Sequence, residues 1–73
     1  MADEKDFCLA IGRKIDAVRK QRNMSFQKLA DKAGIEKAGL VRITQGHNTT
    51  ILTLVKIANA LEIHPKELWN IPN

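Results

Sequence analysis

Lys37, Ala38 and Arg42 stand close together in a short segment bounded by Gly34 and Gly46. An arginine carries a rigid fork of donors that can give two hydrogen bonds to O6 and N7 of guanine. A lysine can do the same less rigidly, or hold a phosphate, and an alanine methyl can touch that of thymine. This is the chemistry of reading base edges, provided that one element presents all three side chains together. Exposed lysines and arginines are ordinarily just solvated, so the supporting elements decide the matter.

Those elements read as helices. Apolar residues recur at helical spacing and no stretch alternates as a half-buried strand would. Phe7, Ile11, Ile15 and Val18 form one stripe, predicting a first helix from about Asp3 or Lys5 to Gln21, with a turn at Asn23. Arg13, Lys14, Arg19, Lys20 and Arg22 decorate its other faces and supply general electrostatic attraction. Ser25 is a good N-cap for a short second helix, Phe26 to about Ala33, with Leu29 and Ala30 inward. Gly34 suits the left-handed residue at its end, and Ile35 packs under the turn.

A third helix runs from Glu36 to about Gln45 on Leu40 and Ile43, ended by Gly46. With those two residues inward, Lys37, Ala38, Val41 and Arg42 fall outside. Gly39 weakens this helix, and two explanations stand: close approach of the backbone to a ligand, or a position where size is immaterial. Thr50 caps a fourth helix built on Leu54, Ile57, Ala58 and Leu61. His64 then caps a fifth, with Pro65 at its first position and Leu68 and Trp69 as its apolar part. The fold class is all-α, a compact five-helix domain occupying residues 1–73.

Composition narrows the function. The 73 residues carry a net charge of +4, one cysteine and two histidines. Cys8 has no internal disulfide partner, and Cys8, His47 and His64 lack metal-ligand spacing. No cofactor or metal is expected. There is no paired set of carboxylates, no nucleophile with its base and no phosphate-cradling glycine loop, so an enzyme is not expected. No apolar run approaches a membrane span or an export signal, and the lone thiol fits a reducing cytoplasm.

Two short helices joined by a glycine-containing turn, about residues 25–46, make the helix-turn-helix pattern. Its second helix enters the major groove of DNA. Beyond that pattern, the chain resembles the lambda-repressor-like, or Xre-type, family over roughly Phe7 to Leu68. The resemblance rests on Ile15 and Arg19, Met24-Ser25, Leu29-Ala30 and Ala33-Gly34-Ile35. It continues through Leu40, Ile43 and Gly46, then Leu54, Ile57-Ala58, Ala60-Leu61, Pro65 and Glu67-Leu68.

The resemblance implies a bacterial or phage regulator that binds double-stranded operator DNA as a homodimer, with repression the expected sign. It places base contacts on Lys37, Ala38 and Arg42. Backbone contacts fall on Ser25, Gln45, His47, Asn48 and Thr49, with Gln27 and Lys28 in reach of phosphates. The dimer surface is expected at the last helix, Leu68, Trp69 and Ile71, with folding of Trp69 onto the core as its alternative.

Two positions depart from the family. Phe26 stands where a phosphate-bridging glutamine is common, and is read as packing against Lys37 or Val41. Thr44 stands where a glutamate commonly pairs with the helix-one arginine. Arg19 is then either free to meet DNA or bonded to Thr44. These departures keep open a second function: a protein-interaction module, antitoxin-like or adaptor, on the same fold.

Overall fold

The computed structural model describes residues 3–69. Asp3 opens the chain's first helix by accepting a hydrogen bond from the Lys5 amide at 2.8 Å, and Glu4 and Asp6 place negative charge in the first turn. This helix, α1, spans Glu4–Gln21 and buries Ile11, Gly12, Ile15 and Val18. Phe7, expected in the same stripe, stays partly exposed at its upper end. Asn23 turns the chain through a left-handed conformation with φ of 55°, which asparagine tolerates better than most residues.

Helix α2 spans Phe26–Ala33, and Ser25 caps it as expected, its hydroxyl accepting from the Lys28 amide at 3.0 Å. Gly34 ends it with φ of 72°. The Ile35 amide then donates back to the Ala30 carbonyl at 3.0 Å, so the exposed ends of the helix carbonyls are satisfied and the chain reverses sharply. Helix α3 spans Lys37–Thr44, with Glu36 and Gln45 as its flanking caps. Gly46 follows at φ of 96° and lies against Leu9 of α1.

Thr50 caps α4, Ile51–Ala60, through a bond from the Thr53 amide at 3.1 Å. At the short α5, Lys66–Trp69, the His64 imidazole accepts from the Lys66 amide at 3.1 Å. Glu67 reaches back to accept from the His64 amide at 3.1 Å, a reciprocal cap that strengthens a weak capping residue.

Each helix sends at least one side chain to a common centre. Ile15, Leu29, Leu40, Ile57 and Leu68 are fully buried, and Leu61 joins them from the end of α4. Burying side chains of this size stabilises the fold by about 1.5–3 kcal/mol each before chain entropy is counted. No described charged side chain is buried, so the core is apolar throughout. Helix α1 packs on α3 and α5, and α2 packs on α3 and α4.

The α1–α3 crossing is the tightest point. A methyl group at Gly12 would overlap the Ile43 carbonyl oxygen and come within 2.9 Å of Thr44 backbone carbons. Glycine at this position lets the two backbones touch, which fixes where α3 lies.

Candidate nucleic-acid interface

The outer face of α3 follows from its inner one. Leu40 and Ile43 are buried, which turns Ala38, Arg42 and Gln45 outward in one stripe at helical spacing. All three are exposed, as is Lys37 at the first turn, while Val41 is half-buried beside them. Of the three side chains assigned to base reading, Ala38 and Arg42 share this stripe, and Lys37 is exposed beside it at the first turn. No methyl-sized obstacle lies within 4 Å of Gly39, so the backbone there is open to close approach.

Charge is distributed unevenly over the basic side chains. Arg19 and Lys20 pair with Asp16 at 2.8 and 3.1 Å. Arg22 and Lys32 share Glu62 at 3.5 and 3.2 Å. Among the described residues, Lys28, Lys37 and Arg42 pair with no carboxylate within 4.0 Å, and neither do Lys5, Arg13, Lys14, Lys56 and Lys66. The part of this unpaired positive charge that lies on α2 and α3 can neutralise an anionic partner. Glu36 is exposed at the foot of α3 as its N-cap residue.

The flanking polar residues sort by how free they are. The Ser25 hydroxyl is engaged as an acceptor, which leaves its hydrogen to donate. Gln27 gives an amide hydrogen to Asp31 at 2.8 Å, so this side chain is partly committed within α2. Asn48 accepts from the Thr49 amide at 2.9 Å and keeps its amino group free to donate. His47 is exposed and Thr49 half-buried. A shallow groove of about 440 Å³ is lined by Gly39, Arg42, His47, Asn48, Thr49 and Thr53 among others, joining the loop after α3 to Arg42 itself. Thr53 has no place in the sequence reading, because only the folding of α4 against the loop brings it there.

The departures at Phe26 and Thr44 are accommodated separately. Arg19 lies over the Phe26 ring, its guanidinium carbon 4.1 Å from the ring centre. It also donates to the Met24 carbonyl at 2.7 Å and to Asp16 Oδ1 at 2.8 and 3.1 Å. With only 13% of its side chain exposed, Arg19 is not free to meet DNA. Nor does it bond Thr44, whose hydroxyl donates to the Val41 carbonyl at 2.7 Å. Phe26 packs under the Arg19 guanidinium and against the core. The Arg19 hydrogen bond holds the Asp16 carboxyl below the usual aspartate range, against the opposing effect of burial, with Lys20 assisting. The Asp16–Arg19–Lys20 spacing of i, i+3 and i, i+4 was readable as a helix-surface pair.

The last helix corrects part of the expected dimer surface. Leu68 is fully buried within the single chain, so it closes the core and offers nothing to a partner. Trp69 is half-buried and packs against that core while facing a groove. Ile71 lies outside the described residues. Among the described residues no group of histidine, cysteine and carboxylate side chains could hold a metal ion, and no helix is long and apolar enough to cross a membrane.

A family model described as Helix-turn-helix matches residues 15–68, which includes α2, α3 and the turn between them. The restriction-modification controller protein C.AhdI from Aeromonas hydrophila superposes with a TM-score of 0.81 at 26% identity, over 84% of this chain and 94% of that one. SinR, a master regulator for biofilm formation seen in complex with DNA, superposes with a TM-score of 0.77 at 32% identity. The match covers 82% of this chain and 98% of that one. In a complex of SinR with SinI the same similarity covers 60% of the matched chain. No curated protein sequence matches the chain.

Proposed function

This chain belongs to the lambda-repressor-like helix-turn-helix family of DNA-binding transcription regulators, and on that premise we propose that it is a sequence-specific repressor that reads operator DNA with α3 in the major groove. The observation that carries the proposal is the exposed stripe of Ala38, Arg42 and Gln45, with Arg42 and Lys37 unpaired by any carboxylate among the described residues.

In this mechanism Arg42 gives two bonds to a guanine, Lys37 bonds a second base or a nearby phosphate, and Ala38 contacts a thymine methyl. Ser25, Lys28, Gln45 and the His47–Asn48–Thr49 loop, with the remaining amide hydrogen of Gln27, hold phosphates and set the docking angle. The Arg19–Phe26 stack replaces the common glutamine bridge, so it supports the start of α2 from within and contributes no phosphate contact. The chain acts as a homodimer on two half-sites about 34–36 Å apart. Occupation of a promoter in the cytoplasm of a bacterium or phage-infected host then blocks transcription.

The test is selection from random duplex DNA followed by titration at several salt concentrations. The proposal expects a palindromic site whose affinity falls steeply with salt, as counterions released from phosphates require. Absence of any enriched sequence, with weak binding to all duplexes alike, contradicts sequence-specific reading.

A further inference from the structure

Helix α3 begins on a residue that does not do what its position asks. Asp3, Ser25 and Thr50 each cap their helix with a side-chain oxygen that accepts from a backbone amide. Glu36 holds the same place on α3, in the same extended conformation (φ −78°, ψ 141°), yet its carboxylate makes no such bond. The residues that cap well are Ser, Thr, Asp and Asn. The Glu36 carboxylate is exposed, and among the described residues it meets no basic side chain within 4.0 Å. On a face that approaches phosphates, such a residue forgoes the cap and adds repulsion. Local rules are broken in this way where a residue serves a site.

The surroundings indicate what the carboxylate can serve. Glu36, Gly39 and Arg42 recur at every third residue and line one groove with Asn48, Thr49 and Thr53. A helix rises about 1.5 Å per residue, which sets Glu36 and Arg42 roughly 9 Å apart along α3. Gly39 puts no side chain between them. The two opposite charges form no ion pair with each other, so the groove keeps an acceptor at one end and a donor at the other.

We propose that Glu36 is a specificity-determining residue, whose carboxylate accepts from the exocyclic amino group of a cytosine in the half-site where Arg42 reads guanine. This rests on the operator-binding reading of α3 and names a base which that reading does not. An ionised carboxylate only accepts hydrogen bonds. In the major groove thymine shows O4 and guanine shows O6 and N7, all acceptors that repel it. Adenine offers an amino group with the N7 acceptor beside it, whereas cytosine presents its amino group alone. Discrimination therefore comes from rejection of the other bases as much as from the bond to cytosine.

The experiment is selection from random duplex DNA, with titration of the selected site, on the full chain as wild type, Glu36→Ser and Glu36→Gln. Serine removes the carboxylate and supplies a good cap, and circular dichroism checks that both variants keep their helices. The wild type should enrich a cytosine in each half-site and prefer it to thymine by at least about tenfold. Glu36→Ser should lose preference at that position alone and keep the guanine that depends on Arg42. Glu36→Gln should change the preferred base there from cytosine to adenine, because a glutamine amide bonds both N6 and N7.

A glutamate that acts only through the helix dipole or by even repulsion of phosphates gives another pattern. Both variants then bind all duplexes with one common change in affinity and with base preferences identical to the wild type, which overturns the proposal. A selected site in which the base governed by Glu36 is not cytosine overturns it as well. Failure of the operator reading looks different, because the wild type itself then enriches no sequence, and the inference falls with its premise.

Discussion

Gly12 and Gly39 each sit inside a helix, where glycine costs about 1 kcal/mol relative to alanine. At Gly12 an added methyl would run into the backbone of α3, while at Gly39, on α3 itself, it would meet nothing within 4 Å. The first glycine is explained inside the chain, because α1 and α3 cannot cross so closely without it. The second has no internal explanation, and it lies on the helix whose exposed face carries Ala38 and Arg42. One side of α3 is thus constrained by packing, and the other carries the exposed Ala38 and Arg42.

Breaking that contrast should produce effects of different kinds. Gly12→Ala should destabilise the fold most, by about 2–3 kcal/mol, since overpacking against backbone exceeds the gain in helix propensity. Thermal or urea unfolding measures it, and an unchanged midpoint would mean that the crossing is looser than described. Arg42→Ala should leave stability unchanged while weakening a selected site by about 1–3 kcal/mol and relaxing one base position. Equal binding of variant and wild type would remove Arg42 from the reading face.

Gly39→Ala sharpens the comparison further. It should raise stability by about 1 kcal/mol and lower affinity for the selected duplex severalfold. A variant that gains stability and binds equally well would make Gly39 a position where size is immaterial.

The smallest effect concerns the clamp behind α2. The Asp16 carboxyl titrates below its ordinary value in the folded state, so its contribution is present at neutral pH and is lost as pH falls through that lowered pKa. Asp16→Asn should therefore cost up to about 1 kcal/mol at neutral pH, the range for a partly exposed ion pair. The two proteins should converge in strong acid. A difference that persists there would trace to packing instead of charge.

Most of the fold was legible because local signals agreed with one another. Ser25, Gly34 and Thr50 each mark a helix end by their own chemistry, and Leu29, Leu40, Ile57 and Leu61 mark the inward faces by spacing. The stripe of Ala38 and Arg42 followed from the same spacing, since the outside of a helix is fixed once Leu40 and Ile43 are inside. What escaped depends on contacts between distant segments. Gly12 reads as an ordinary helix glycine until α3 is laid across it. The Arg19–Phe26 stack requires the turn at Asn23 to bring two helix ends together. Leu68 was assigned to a dimer surface because the last helix was read as the surface available for one, yet it is fully buried within the chain.

The central claim is that the outer face of α3 and its flanking loop meet DNA. Titrating the 15N-labelled chain with a selected duplex and following its backbone amides by NMR tests this most directly. The account predicts that the largest changes fall on Lys37, Ala38, Gly39, Arg42 and Gln45, with smaller ones at Ser25, Lys28 and the His47–Thr49 loop. Changes centred instead on α5, or spread evenly over all basic residues, would contradict it.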